Sequence, residues 1–319
     1  MKNKIMKKIA IMGAGLLFIS GCTTPKSDVE ITQIGILQIA EHGALDNARK
    51  GFIETLAAAG YIDGENIKID YQNAQGDQSN LKSMSEKLVK KSDLLFAIST
   101  PAAQALANET KQIPILFTAV TDPVDAGLVN SLIAPGGNIT GTSDMAPVKK
   151  QIELLYAIKP DAKKVGILYN SSETNSKLQA NQAKAVLTDL GIEAIEMTVT
   201  STNDVQQVAE SIVKQVDAIY IPTDNTLAAS MATIKMVVEK SKTVVITGSV
   251  DDAMIGGLAT YGIDYEKLGQ QTAQQAIGIL RNGQNPGILP VEMAAELTLF
   301  VNEEMAEVLG IDKDIIKID

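Results

Sequence analysis

Residues 94–111, LLFAISTPAAQALANETK, contain the alternation on which the fold of this chain depends. An apolar run at 94–99 leads directly into a helical pattern at 100–111. Proline suits the first turn of a helix, because the backbone N–H that it lacks has no partner there. The stretch therefore predicts a strand followed at once by a helix, with Thr100 as the N-cap and Pro101 as the first helical residue.

The same alternation extends along the chain in both directions and repeats. In the first half, the predicted strands and helices lie at 34–38, 45–59, 67–71, 79–91, 94–99, 100–111 and 115–120. In the second half, they lie at 165–169, 175–190, 194–198, 205–216, 218–222, 226–240 and 244–248. Matching strands are separated by roughly 125–130 residues. Strands that alternate with helices predict parallel sheets, and the repeat predicts an α/β fold of two similar doubly wound lobes.

The rest of the sequence predicts further crossings between these lobes. The glycine-containing segment 135–142 suits a first crossing. Later crossings are predicted from a strand at 258–262, a helix at 265–281, a turn at 285–287, an extended segment at 288–301 and a last helix at 303–309. We expect the N-terminal lobe to comprise 31–143 and 262–285, and the C-terminal lobe 144–261 and 286–319. Lobes joined by several strands form a hinge with a ligand cleft, and two independent domains without a cleft are the alternative.

The first 22 residues have the form of a bacterial lipoprotein signal. Four lysines precede an apolar run at 9–19, which is too short for a permanent transmembrane helix. The sequence Ile-Ser-Gly-Cys ending at Cys22 then matches a lipobox, whose cysteine is lipidated. We expect a signal peptide at 1–21, a lipidated tether at 22–30 and an extracytoplasmic location. An ordinary secretory leader is the alternative.

Charge and residue content argue against several classes of function. Without the four lysines of the leader, 24 basic and 38 acidic residues remain, and a net charge near −14 opposes binding to nucleic acid or anionic lipid. Cys22 is the only cysteine and His42 the only histidine, so no metal site of several such ligands and no Cys–His pair can form. Phosphate-binding glycine motifs and a G-x-S-x-G elbow are absent from the sequence. We expect no cofactor, no metal and no catalysis.

Polar residues follow the strands where a ligand would bind, which in open parallel sheets is outside the carboxyl ends of the strands. Free N–H groups at the helix start Ser99-Thr100 suit a carboxylate, with Thr118 and Thr121 as further donors. In the second half, a carboxylate of the pairs Asp224-Asn225 and Asp251-Asp252 could hold an ammonium group. A zwitterionic amino acid requires this combination of groups. For each residue, helix capping alone is the alternative.

A set of segments resembles a known family over nearly the whole mature chain. They are GILQIAEHGALD (35–46), AQGD (74–77), STPAAQALANET (99–110), FTAVTDPVDAGLV (117–129), PGGNITGTSD (135–144), SSETNS (171–176), IPTDNT (221–226) and TYGIDYEKLG (260–269). Together they resemble the type I periplasmic-binding-protein-like lipoproteins of ABC importers, in the tryptophan and aromatic amino-acid-binding group. Gly43 departs from the pattern, since relatives commonly carry proline there.

The resemblance implies a monomeric Venus-flytrap receptor that performs no chemistry. It would bind tryptophan or another aromatic amino acid, close, and dock on a permease driven by a separate ATPase. Tyr261 and Phe117 would be the nearest candidates for an aromatic wall. From the first lobe, the resemblance favours Thr100 and the loop from Thr118 to Asp122 as site residues. From the rest of the chain it favours Glu173, Asn175, Ser176, Asp224, Asn225, Asp251 and Tyr261.

Three other functions remain open at the level of the sequence. The receptor could bind a different small solute, such as a nucleobase or a sugar. An extracytoplasmic enzyme on the same scaffold would have to use His42. A receptor whose ligated form docks on a signalling protein instead of a permease is the third.

Overall fold

The computed structural model describes residues 31–316, which form two α/β lobes. The signal peptide, the lipobox and the tether predicted at 1–30 lie outside the described residues. The strands are β1 (Thr32–Gln38), β2 (Ile67–Asn73), β3 (Leu94–Ile98), β4 (Ile115–Val120), β5 (Ile139–Ser143), β6 (Lys164–Asn170), β7 (Glu193–Val199), β8 (Ala218–Ile221), β9 (Val244–Thr247), β10 (Ala259–Gly262), β11 (Glu292–Met293) and β12 (Thr298–Val301).

Helices connect these strands and cover both sheets. They are α1 (Gly43–Ala58), α2 (Gln78–Val89), α3 (Thr100–Glu109), α4 (Val148–Ile158), α5 (Thr174–Asp189), α6 (Val205–Ile212), α7 (Asn225–Ala228), α8 (Met231–Ser241), α9 (Val250–Ile255), α10 (Tyr265–Asn282) and α11 (Glu303–Leu309). None of the helices in the described part is long and apolar enough to cross a membrane.

Each lobe is built on one six-stranded sheet. The first sheet has the order β11-β5-β4-β3-β1-β2, and all of its pairings are parallel. The second has the order β12-β10-β9-β8-β6-β7, and only β12 is antiparallel to its neighbour. The inner strands of both sheets are largely buried, as parallel strands between helices must be, whereas the edge strands β2, β7, β11 and β12 are partly exposed. The predicted fold of two similar parallel-sheet lobes is therefore confirmed.

The chain crosses between the lobes three times. It leaves the first lobe after β5, returns after β10 to form α10 and β11, and crosses again to β12. Helix α10 packs so closely on α1 that a Cβ at Gly269 would lie 2.0 Å from the carbonyl oxygen of Ala48. The C-terminal lobe was predicted to resume at 286, but β11 pairs with β5 in the first sheet. The last crossing therefore lies between Met293 and Thr298.

Several elements differ from those that the sequence pattern predicts. The glycine-containing segment interpreted as a crossing includes strand β5, and α4 and α9 were not predicted at all. The single helix expected at 226–240 divides into α7 and α8, because the backbone at Ser230 is not helical (φ −117°, ψ 10°). The short helices α7 and α9 each begin immediately after a strand of the second sheet. They place their first residues at the cleft between the lobes.

Candidate functional site

A small cavity lies between the lobes at the carboxyl ends of the strands. Its volume is about 20 Å³, which holds roughly one water molecule, so an amino acid fits only when the lining moves outward. Residues from both lobes line this inner cavity: His42, Ala44, Leu45, Ala119, Thr121, Asp144, Asn175, Thr223, Asp224, Asn225, Ala228, Ser249, Asp252 and Tyr265. The position agrees with the rule for open parallel sheets.

Three buried carboxyl groups face the inner cavity, and they differ in their partners. Asp224 caps α7: its two oxygens accept from the backbone N–H groups of Asn170 (2.6 Å) and Leu227 (2.9 Å). Asp144 accepts from the hydroxyls of Thr121 (3.1 Å) and Tyr265 (2.7 Å). Both carboxylates are therefore held by donors of their own lobe.

Asp252 is the least satisfied of these acids. Its only described side-chain partner is Ser249, the N-cap of α9. Burial, reinforced by the nearby charges of Asp251 and Asp224, raises the pKa of Asp252 from 3.8 to about 7. An ionised carboxylate in this position requires a positive charge nearby, because desolvation disfavours a lone charge. Asp252 is therefore the acid best placed to hold a cationic group of a ligand.

The protein supplies no such positive charge to the inner cavity. Its lining contains neither lysine nor arginine, and none of the salt bridges in the described part of the chain involves its three acids. Burial lowers the pKa of His42 from 6.5 to about 4, so this imidazole is neutral at neutral pH. Among residues 31–316, no group of three or more carboxyl, thiol or imidazole side chains is arranged to hold a metal ion. A positively charged group of a ligand would supply the charge that this lining lacks.

Glu173 organises the second lobe beside the cavity. Its carboxylate accepts from the backbone N–H groups of Asn225 (3.2 Å) and Thr226 (3.3 Å), and from both of their side chains. Burial and the charge of Asp224 raise the pKa of Glu173 to about 7. All of these partners belong to the same lobe. Glu173 therefore positions the residues that line the cavity.

Two long helices, one from each lobe, begin at the inner cavity without a side-chain cap. The N-caps are His42 for α1 and Glu173 for α5, and neither side chain accepts from the first turn. Ala44 and Leu45 of α1 and Asn175 of α5 line the cavity. Free N–H groups at the positive end of a helix dipole are suited to a carboxylate.

The helix start predicted to bind a carboxylate has a different structure. Ser99, not Thr100, is the N-cap of α3, and its Oγ accepts from the N–H of Ala102 at 3.4 Å. Pro101 is thus the second helical residue rather than the first. Ser99 has a positive φ of 101°, a strained conformation for a residue with a Cβ. The Thr100 hydroxyl is buried and unpartnered, but it does not line the inner cavity.

Three other predicted site residues also lie outside the lining of the inner cavity. The Thr118 hydroxyl bonds to that of Thr142 (3.0 Å) inside the first lobe. Asp122 caps its own turn by accepting from the N–H groups of Val124 and Asp125. Tyr261 lies beside Lys150 instead. Phe117 is fully buried in the core, so Tyr265 is the aromatic residue that lines the cavity.

Ser176 and Asp251 lie close to the cavity without lining it. The Ser176 hydroxyl is buried against the carbonyl oxygen of Thr223 at 3.4 Å. Asp251 accepts from Nδ2 of Asn47 at 3.0 Å across the cleft. A Cβ at Gly43 would lie 2.9 Å from Oδ1 of Asp251, so a larger residue there would require the Asp251 side chain to shift.

Other hydrogen bonds also join the lobes in this arrangement. Nε2 of Gln179 donates to the Thr121 hydroxyl at 3.2 Å, and Nε2 of His42 lies 3.5 Å from Oδ1 of Asn225. Beyond Asn225, an outer groove of about 710 Å³ lies between the lobes. Its lining is polar and includes Asn73, Gln78, Asn170, Ser172 and Asn203. Because Asn225 lines both spaces, the inner cavity adjoins this groove.

Sequence reasoning did not select Asp144 or Tyr265. It named Thr121 as a further donor and offered Asp252 only as part of the pair Asp251-Asp252. It included Ala119, Thr223 and Ser249 only as members of predicted loops. Asp252 had a usable signal, because Ser249 is followed three residues later by an acid, the spacing of a helix N-terminus. That signal would have predicted α9 and would have distinguished Asp252, which lies three residues after the N-cap, from its neighbour Asp251. Asp144 lies just after the segment interpreted as the first crossing, and Tyr265 begins a helix interpreted as a further crossing, so nothing local indicates that they face a cleft.

Comparison with known proteins gives a consistent result. The family model described as ABC transporter substrate binding protein matches residues 33–315. A tyrosine-binding protein of Clostridioides difficile (strain R20291) is 41% identical over 325 residues, covering 98% of this chain and 94% of that protein. The family and this relative are substrate-binding proteins, not enzymes.

Two solved structures of similar sequence differ in how well they superpose. An ABC domain from Streptococcus pneumonia in complex with L-Trp is 38% identical, covers 90% of this chain and 97% of its own, and has a TM-score of 0.85. The ligand-free, open structure of a substrate-binding protein with adhesive properties from Clostridium difficile is 45% identical and has a TM-score of 0.66. The match covers 89% of this chain and 96% of that structure. The lower TM-score at higher identity agrees with a closed lobe arrangement here. The chain belongs to the ABC transporter substrate-binding protein family and has the two-lobed architecture of type I periplasmic binding proteins.

Proposed function

We propose that this protein binds an aromatic amino acid, tyrosine or tryptophan, between its lobes and delivers it to the permease of an ABC importer. The observation that carries the proposal is Asp252, a buried carboxyl group on the inner cavity with no cationic side chain beside it. The α-ammonium group of an amino acid supplies the missing charge. A neutral sugar or nucleobase does not.

The remaining groups of the cavity suit the rest of such a ligand. Oδ1 of Asn175 is buried and unpartnered, while Nδ2 of the same amide donates to the carbonyl oxygen of Thr223 at 2.9 Å. The free acceptor therefore supports Asp252 in binding an ammonium group. The uncapped starts of α1 and α5 supply N–H donors for the carboxylate.

Aromatic specificity is supported by the apolar part of the lining and by the relatives. Leu45, Ala119, Ala228 and Tyr265 form that apolar part. Tyr265 is held in place by its hydrogen bond to Asp144, so its ring offers a rigid wall for an aromatic side chain. A relative at 41% identity is a tyrosine-binding protein, and one at 38% identity was crystallised with L-Trp.

Thermal-shift screening of the twenty amino acids against the chain from Thr23 tests this function. Ligand that binds only the folded state stabilises it, by about 2.7 kcal/mol at a concentration of one hundred times Kd. We expect tyrosine and tryptophan to raise the melting temperature most. The protein is unfolded and refolded first, so that co-purified ligand cannot mask the effect. If no aromatic amino acid stabilises the refolded protein, the proposed specificity is wrong.

We further propose that the protein is monomeric and is anchored outside the cell membrane through lipid on Cys22. The lipobox and the eight-residue tether that follows support this, since a receptor on a short tether stays near its permease while its lobes open and close. Cys22→Ala is expected to move the protein from the membrane fraction to the soluble fraction with an unchanged Kd for its ligand. Membrane retention of the variant would contradict lipid anchoring at this residue.

A further inference from the structure

His42 places an unsatisfied hydrogen-bonding atom at the inner cavity. The residue is half-buried, but its Nδ1 is shielded from solvent and has no partner among the described residues. A buried polar atom without a partner lowers stability unless a ligand or water satisfies it. The closed arrangement therefore favours a ligand that supplies the missing hydrogen bond.

Neighbouring contacts determine whether this atom donates or accepts. Nδ2 of Asn225 donates to the Glu173 carboxylate, so Oδ1 of the same amide faces His42. An amide oxygen can only accept, so Nε2 of His42 carries the hydrogen and donates to it at 3.5 Å. In a neutral imidazole the other nitrogen is then a bare acceptor. Nδ1 therefore requires a donor from the ligand.

We propose that His42 determines specificity at this site by accepting, at Nδ1, a hydrogen bond from the side chain of the ligand. This inference rests on the proposed function. The two relevant donors are the phenol O–H of tyrosine and the indole N–H of tryptophan. Phenylalanine has a similar ring but no donor, so it would leave Nδ1 unsatisfied. The site therefore discriminates against phenylalanine.

The position of His42 suits a residue that contacts the side chain of a ligand. His42 and Asn225 lie at the junction between the inner cavity and the outer groove, because Asn225 lines both. The inner cavity is too small for an amino acid, and the adjoining groove is the larger space, so we infer that a ligand whose ammonium group lies at Asp252 extends toward this junction. Its side chain then passes His42. Glu173 and Asn225, which orient the imidazole through successive hydrogen bonds, belong to the second lobe, whereas His42 belongs to the first. Nδ1 of His42 is therefore oriented as an acceptor only when the lobes close.

The test is a comparison of Kd for tyrosine, tryptophan and phenylalanine by isothermal titration calorimetry on the refolded protein and two variants. His42→Leu removes the acceptor at similar volume. His42→Asn places an amide oxygen near the position of Nδ1 and is the conservative control. The wild type is expected to bind its preferred ligand, tyrosine or tryptophan, at least about tenfold more tightly than phenylalanine. His42→Leu should reduce this preference to within about threefold with little change for phenylalanine, and His42→Asn should restore part of it.

The possible outcomes separate this inference from the proposed function. If no aromatic amino acid binds the wild type, the proposed function itself is wrong. If the wild type binds the three aromatic amino acids equally tightly, or if His42→Leu weakens binding of all three by the same factor, the proposed function stands. His42 then does not distinguish between ligand side chains. An equal loss would indicate a structural role or a contact with the common ammonium group. Thermal melting of each unliganded variant confirms that it is folded.

Discussion

Asp252→Asn is expected to weaken binding of tyrosine and tryptophan by at least about 30-fold. Removing one partner of a buried charge pair costs about 2–5 kcal/mol, since the other charge is left unpaired. In this protein the unpaired charge would be the ligand ammonium, because no lysine or arginine lines the inner cavity. Calorimetric measurement of Kd for both variant and wild type checks the expectation.

Asp251→Asn is the matched control, because it removes the same charge one residue away. The variant keeps an amide oxygen that can accept from Asn47 across the cleft, so lobe contact is preserved. We expect its Kd to change by less than about threefold, since Asp251 does not line the cavity. An equal loss in both variants would mean that the general negative charge of this helix start binds the ligand. A large loss only in Asp251→Asn would reassign the ammonium partner.

Lobe closure in the absence of ligand is expected to respond to pH in opposite directions in two variants. Burial in this arrangement raises the pKa of Asp252 from 3.8 to about 7 and lowers that of His42 from 6.5 to about 4. If opening the lobes exposes both groups, protonation of Asp252 favours the closed form between pH 3.8 and 7, an effect lost as pH rises through 7, whereas protonation of His42 favours the open form. The two effects nearly cancel in the wild type.

Each variant removes one of these two effects and retains the other. When the pH is lowered from 8 to 5, the equilibrium constant for lobe closure is expected to rise by up to about 100-fold in His42→Asn and to fall by about 30-fold in Asp252→Asn. Glu173, Asp144 and Asp224 are present in the wild type and in both variants, so their titration is common to all three proteins.

The radius of gyration from small-angle X-ray scattering on refolded, ligand-free protein reports the change. It should fall on acidification in His42→Asn, rise in Asp252→Asn and change least in the wild type. The same pH response in all three proteins would show that neither group is buried by closure. Asp251 is present in both variants and affects them equally.

The repeated strands and helices were predictable because they depend on local patterns. Apolar runs such as 94–99 and 244–248 are long enough to be recognised, and the helices between them carry an apolar face. Most bounds agree with the structure within a few residues, as at α10 and α11. The missed helix α9 has only six residues, and its start was interpreted as a loop.

The candidate site was only partly predictable. The inner cavity is lined mainly from the predicted loops after the strands, and Asn175, Asp224 and Asn225 of the predicted site residues line it. Thr118 was misplaced because strand residues alternate between faces, and the side on which its hydroxyl finds a partner depends on Thr142 of the next strand. Asp144 and Tyr265 could not be selected, because they approach the second lobe only through the path of the crossings.

The sequence by itself determined the α/β class, the two similar lobes, the lipobox-like leader and the acidic loops at the strand ends. These features arise from residues that are neighbours in the chain, where local sterics and apolar periodicity act. The tertiary structure decided which acid lies at the cavity with Ser249 as its only described side-chain partner, which helix starts remain uncapped and which nitrogen of His42 is bare. Each of these depends on contacts between segments as far apart as His42 and Asn225, which meet only when the two lobes are packed together.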